Sequence, residues 1–227
     1  PLSRPDFFIV AAYSKILPKE ILALPNYGTI GIHPSLLPKY RGPSPIQTAI
    51  LNGDEETGVT LYLMDEKIDH GPVLSQEKIK IFNSKYSDLE RALGELGGDM
   101  IVRYLPKLIS GEIKPKLQEE SLATYTKKFS AEGGSASGGK TESSFINPDD
   151  LVAALNGSNL EKTIMIERKI RALNPEPGVW TYAKKEWGKP FDTAQGKRMK
   201  LLEAKIDPPT SKGRLKLLKI QFEGKKP

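Results

Sequence analysis

The chain has no cysteine and only two histidines, His33 and His70, among 227 residues. Disulfides, thiolate nucleophiles and thiolate metal sites are thereby excluded, and a histidine-rich metal centre is not expected. No apolar run approaches the length a membrane-spanning helix needs, and no signal-peptide pattern is present, so the expectation is a cytoplasmic protein with no membrane partner. What the chain does have is ordinary for a globular protein, with 38% hydrophobic and 27% charged residues. Its length is comfortable for two domains.

Charge is divided unevenly along the chain. The net +6 is the sum of +9 in residues 163–227 (16 Lys+Arg against 7 Asp+Glu) and −3 in residues 1–162 (18 against 21). A split of this kind points to a polyanionic partner for the C-terminal part and a different task for the rest.

The stretch Thr29-Ile-Gly-Ile-His-Pro-Ser-Leu-Leu-Pro-Lys-Tyr-Arg-Gly42 organises the first part. A β-prone run ends on His33, and Pro34, Pro38 and Pro43 hold the following loop out of any helix. Pro34 also biases His33 towards extended backbone, which is how an imidazole is fixed at a strand end. Around this stretch the expected order is a buried strand at Asp6–Ala12, a short helix at Pro18–Leu24, the motif strand, and a helix at Pro45–Asn52. Strands at Thr57–Met64 and Val73–Phe82 follow. Beyond them, Ser84 is expected to cap a helix running to about Gly94, and a second helix to span Asp99–Ile109.

Residues 116–147 lose periodicity. Gly133–Gly139 has the composition of a flexible linker, and Gly138-Gly139-Lys140-Thr141 lacks the first glycine and preceding strand of a phosphate loop. A helix from Asn147 to Leu155, helical spacing from Leu160 to Leu173, and strands at Val179–Lys184, Met199–Ile206 and Leu215–Phe222 complete the reading. Gly188–Gly196 reads as a polar hairpin tip.

His33 with Ser35-Leu36-Leu37-Pro38 and Arg41-Gly42 resembles the folate-site signature of the formyltransferases that use formyl-tetrahydrofolate. Met64-Asp65-Glu66-Lys67-Ile68-Asp69-His70-Gly71-Pro72 resembles the second piece of that signature. A third stretch, Arg168–Thr181, is similar to the start of the small β-barrel appended to the tRNA-directed members of the family. The resemblance implies an α/β fold, an open Rossmann-like formyltransferase sheet followed by a small OB-like β-barrel. The implied domains are 1–116 (catalytic), 117–162 (linker with the Gly/Ser-rich insert and a helical lead-in) and 163–227 (tRNA-binding). The family's sheet has strands ahead of one like Phe7–Ala12 and a segment beyond Phe222, so the expectation is a fragment carrying only the second half of the sheet.

The resemblance also implies chemistry. The donor would be 10-formyltetrahydrofolate, the acceptor the amino group of methionyl initiator tRNA, with no metal and a monomeric protein. His33 would stabilise the tetrahedral intermediate or handle its proton, and Asp69 would hold the imidazole and move protons through a bound water. Ser35, Leu36, Leu37 and Pro38 would line the folate pocket. Arg41 would orient the loop or an anionic group, or else lie solvated at the surface. Arg168, Arg171, Lys184, Lys185, Lys197 and Arg198 would meet tRNA, and Asp65 and His70 would shape their loop. Gly31 stands where relatives carry Asn, so a side-chain amide is missing, and glycine is expected to leave room for a water or backbone N–H in its place. An amino-sugar formyltransferase and a non-catalytic RNA-binding remnant are the rival readings.

Overall fold

The computed structural model describes residues 4–131, 134–136, 139–184, 196–207 and 213–223. The chain divides into two units, residues 1–49 with 54–126 and residues 50–53 with 127–227.

In the first unit the order is β1 (Phe8–Ala11), α1 (Lys19–Leu22), β2 (Thr29–His33), α2 (Pro45–Asn52), β3 (Glu56–Leu63), β4 (Val73–Lys80) and α3 (Tyr86–Ile109). The strands form one open sheet in the order β1-β2-β3-β4. β1 runs parallel to β2, while β3 is antiparallel to both β2 and β4, so the sheet is mixed. Alternation along β2 turns Thr29, Gly31 and His33 to one face and Ile30 and Ile32 to the other. α3 covers the isoleucine face: a Cβ on Gly97 would lie 2.8 Å from Ile32 Cγ2, so only glycine lets the helix approach this closely.

Several expectations change here. α3 is one helix of 24 residues, not two. Leu89, Leu93, Gly97 and Met100 form a single buried stripe in helical phase, and burying such leucines, at about 1.5–3 kcal/mol each, outweighs the roughly 1 kcal/mol cost of each internal glycine. Pro106 sits within the last turn, so the missing N–H disturbs the helix only near its end. Ser84 is not the cap; Lys85 precedes the helix without a side-chain capping bond. β1, expected to be a buried strand, lies at the sheet edge with Ile9 48% exposed. Among the described residues its hydrogen-bonded neighbour is β2 alone.

In the second unit, β5 (Lys128–Ser130), β6 (Gly134–Ala136) and β7 (Gly139–Ser143) pair in the order β5-β7-β6, so the Gly/Ser-rich stretch takes part in strands. α4 (Pro148–Leu155) and α5 (Leu160–Leu173) follow, each opened by an asparagine: Asn147 Oδ1 accepts from Asp149 N–H (2.9 Å) and Asn159 Oδ1 from Lys162 N–H (3.0 Å). β8 (Trp180–Tyr182), β9 (Arg198–Asp207) and β10 (Arg214–Phe222) form an antiparallel sheet in the order β10-β9-β8. The core holds Leu151, Ile166, Leu173, Val179, Met199 and Leu201, all fully buried. Residues 117–126, placed in the linker by sequence, belong to the first unit, where Thr124 N–H donates to the Pro38 carbonyl (3.2 Å) and Arg41 N–H to the Thr124 carbonyl (2.8 Å). Most of the Gly188–Gly196 tip lies outside the described residues.

Candidate active site

His33 ends β2 and is buried, on the same face as Gly31. Its Nε2 lies 2.9 Å from the Tyr40 carbonyl, so Nε2–H donates there and the proton of the neutral ring is placed on that nitrogen. Nδ1 then faces Asp69 Oδ2 at 3.5 Å, too long for a hydrogen bond. A proton on Nδ1 would make the ring an imidazolium beside a carboxylate. Burial pushes the His33 pKa below its ordinary value, although Asp69 and the Tyr40 carbonyl pull the other way. The resting imidazole is therefore neutral at pH 7, with a bare Nδ1 next to a group able to stabilise its protonated form.

Asp69 lies between β3 and β4 in a left-handed backbone conformation (φ +49°), one that aspartate tolerates better than most residues. Its carboxylate is held on both oxygens: Gly42 N–H donates to Oδ2 (2.7 Å) and the Tyr62 hydroxyl to Oδ1 (2.8 Å). Burial, together with the Asp69 and Asp65 charges, pushes the Tyr62 phenol far above its ordinary pKa, so it remains a neutral donor. The room expected beside Gly31 is absent. Gly31 pairs with Tyr62 across the strands, and a Cβ on Gly31 would lie 2.4 Å from Tyr62 Cε1 and 2.8 Å from its hydroxyl oxygen. The aromatic ring covers the glycine, a common cross-strand arrangement, and neither a water nor a side chain fits between them.

The loop after His33 alternates in burial. Ser35 and Leu37 are buried anchors: the Ser35 hydroxyl donates to the Lys39 carbonyl (2.6 Å) and Leu37 N–H to Thr60 Oγ1 (3.0 Å). Leu36 and Pro38 are half-buried and present the apolar surface of the loop. Arg41 is not solvated. It is fully buried, donating to Gln118 Oε1 (3.1 and 2.9 Å), to both Glu120 carboxylate oxygens (2.8 and 3.0 Å) and to the Tyr125 hydroxyl (3.0 Å). Asp65 and His70 pair with each other (Oδ2 to Nδ1, 2.6 Å) within their loop.

Three residues that position the site had no signal in sequence. Thr60, opposite His33 in register, donates to the Ser35 carbonyl (2.6 Å), and Gln76 donates to the Leu37 carbonyl (2.7 Å). Gln118 accepts from Arg41 and donates to the carbonyls of Asp69 (2.9 Å) and Gly71 (2.8 Å), tying the two loops together. Their partners lie 16 to 77 residues away, and no local pattern announces such contacts. An apolar cleft lined by Ile30, Leu61, Leu74, Leu105 and Ile113 lies on the opposite face of the sheet from His33. Among the described residues no group of three or more metal-ligating side chains converges, and no helix is long and apolar enough to cross a membrane.

The cations expected at tRNA fall into distinct situations. Arg168 donates to the Asn52 carbonyl (3.3 Å), Arg171 pairs with Glu167 (2.6 Å) and Lys184 with Asp149 (2.5 Å). Arg198 stacks 4.1 Å from the Trp180 ring centroid, and Lys197 is exposed. Lys185 lies outside the described residues. Sequence reasoning passed over Lys200, Arg214, Lys216 and Lys219, which are exposed on β9 and β10.

Residues 2–105 match the family model for formyl transferase, and residues 161–227 match that for the formyl transferase C-terminal domain. The methionyl-tRNA formyltransferase of Kosmotoga olearia is 36% identical over 234 residues, an alignment covering 98% of this chain and 68% of that protein. The chain belongs to the formyltransferase family. It spans only 55% and 58% of the length of two other methionyl-tRNA formyltransferases that it matches. Among solved structures, the methionyl-tRNA formyltransferase of Clostridium thermocellum superposes with a TM-score of 0.62 at 22% identity, over 96% of this chain and 78% of that one. A sugar N-formyltransferase from a Shewanella species superposes with a TM-score of 0.54 at 22% identity, over 79% and 65%. At these identities the likeness speaks to the fold alone and leaves the acceptor open.

Proposed function

We propose that this formyltransferase moves the formyl group of 10-formyltetrahydrofolate to the amino group of methionyl initiator tRNA, for translation initiation. The observation that carries this reading is the bare Nδ1 of a buried His33 facing a carboxylate at 3.5 Å, beside the half-buried apolar surface of Leu36 and Pro38. The donor supplies an electrophilic formyl carbon. The acceptor amine must lose a proton as it bonds to that carbon, and the folate nitrogen must gain one as its bond to the carbon breaks. Nδ1 of His33 can hold the proton in between, with Asp69 offsetting the imidazolium charge. Leu36 and Pro38 would contact the folate, while Ser35, Leu37 and Arg41 hold the loop that presents them.

The acceptor assignment rests on the second unit. β10 alternates exposed Arg214 and Lys216 with the buried Leu215, and Lys197, Lys200 and Lys219 are also exposed, a basic surface suited to a phosphate backbone. We read this unit as an OB-like tRNA-binding domain. An amino-sugar acceptor would have no use for that surface. The test is transfer from 10-formyltetrahydrofolate to methionyl initiator tRNA and, in parallel, to a nucleotide-linked amino sugar. Turnover on tRNA alone is expected. Turnover on the sugar alone would reassign the acceptor, and tRNA binding without turnover on either would favour the RNA-binding remnant.

A further inference from the structure

Tyr62 is one of the few buried titratable groups to which neither the family resemblance nor the proposed chemistry gives a task. Its ring lies over Gly31, and its hydroxyl oxygen lies 2.8 Å from where a Gly31 Cβ would be, about as far as a short side-chain amide reaches. The same oxygen is 2.8 Å from Asp69 Oδ1. A residue on β3 thus delivers a neutral donor to the volume that a β2 side chain would otherwise occupy. We infer that Gly31 and Tyr62 act as one unit, with Tyr62 a positioning residue that holds the Asp69 carboxylate towards His33 in place of a polar side chain on β2. This deepens the proposed function and rests on the His33–Asp69 reading.

The arrangement follows from packing. Gly31 and Tyr62 are opposite in register, and the ring reaches the site only because residue 31 has no side chain. The phenol is 4% exposed and bonded to a carboxylate, which fixes its direction. With Gly42 N–H on the other oxygen, Asp69 is oriented by two donors from different elements, so loss of either leaves the carboxylate free to turn. The titratable groups facing Tyr62 are Asp69 and Asp65 from the loop after β3, with His33 beyond Asp69.

Three variants of the full chain test this. Tyr62→Phe removes only the hydroxyl, and kcat should fall about tenfold to a hundredfold, less than loss of an oxyanion donor costs, with KM for both substrates little changed. Gly31→Asn should also lose activity, because its Cβ collides with the ring, whereas Gly31→Asn combined with Tyr62→Leu should recover at least about tenfold over either single change. An unchanged kcat for Tyr62→Phe, or no recovery in the double variant with all forms equally folded by thermal melting, would overturn the inference. A readout independent of turnover separates this failure from failure of the proposed function. The chain has only two histidines, so the His33 ring can be titrated by NMR with His70 as internal reference. Without the hydroxyl the Asp69 carboxylate is free to turn from His33 and its attraction for the imidazolium weakens, so His33 should titrate about half a pH unit lower in Tyr62→Phe. An unmoved titration would overturn the inference even if the protein formylates nothing.

Discussion

The two signatures of this chain, the His33 loop and the basic C-terminal region, use charge in opposite ways. In the first unit the polar groups are buried and engage one another. Arg41 is fully enclosed by Gln118, Glu120 and Tyr125, and Asp69 accepts from Gly42 and Tyr62. In the second unit Lys200, Arg214, Lys216 and Lys219 of β9 and β10 stand in solvent, while Arg198 of β9 is half-buried against Trp180. Buried polar networks fix geometry because an unpaired member is costly, whereas exposed cations add long-range attraction without fixing any position. Under the proposed function, placing a proton calls for the first arrangement and tracking a polyanion for the second.

The comparison breaks first, and most severely, at the pair itself. His33→Ala or Asp69→Asn should lower kcat by about a hundredfold to ten-thousandfold with little change in tRNA affinity, and the double variant should be far from additive. Additive losses would mean separate roles and would remove the reason for their juxtaposition. The pH dependence sharpens the same point. The His33 imidazole of the folded chain binds a proton only below the ordinary 6.5, while that of the unfolded chain binds it near that value. The unfolded state thus holds more protons between the two values, so the stability due to His33 is fully present above pH 6.5 and is lost as pH falls through the folded value. kcat/KM should accordingly be flat through pH 7 and decline only on the acid side of 6.5. A decline beginning above pH 7 would contradict a neutral resting imidazole.

Arg41 tests whether the buried network is structural. Arg41→Met should destabilise the protein by about 2–3 kcal/mol, below the figure for breaking a fully buried ion pair because Glu120 is 61% exposed and regains water. Chemical denaturation would measure it, and an effect under about 0.5 kcal/mol, as for a surface pair, would mean the network holds nothing in place.

The smallest expected effect lies in the second unit. Neutralising Lys197, Lys200, Arg214 and Lys216 together should weaken tRNA binding and flatten its salt dependence by several phosphate contacts, leaving folate binding and thermal stability unchanged. Arg171→Gln alone should change little, since that cation is already held by Glu167. If Arg171→Gln equals the fourfold variant, the contact surface lies on α5 instead of the sheet.

Local pattern carried much of this. The β-prone run of Thr29–His33, the proline-rich loop after it, the helix start at Asn147 and the strands at Val73 and Leu215 are all set by residues within a few positions of one another. The same is true of the two motifs that bring His33 and Asp69 into consideration, and of the charge split. The expected break between Gly94 and Asp99 does not occur, because Leu89, Leu93, Gly97 and Met100 form one continuous buried stripe, and that stripe matters only when there is a sheet to cover.

Sequence by itself determined the family signatures around His33 and Asp69 and which end of the chain carries the positive charge, because residue type, short-range order and composition suffice for both. Tertiary structure alone decided how those residues are held. That Arg41 is a buried clamp, that Thr60, Gln76 and Gln118 tie the loops, and that Tyr62 fills the volume at Gly31 all depend on strand register and on contacts up to 84 residues apart. Register is a property of the paired strands, since a one-residue slip would send Tyr62 to the opposite face of the sheet and leave Gly31 uncovered.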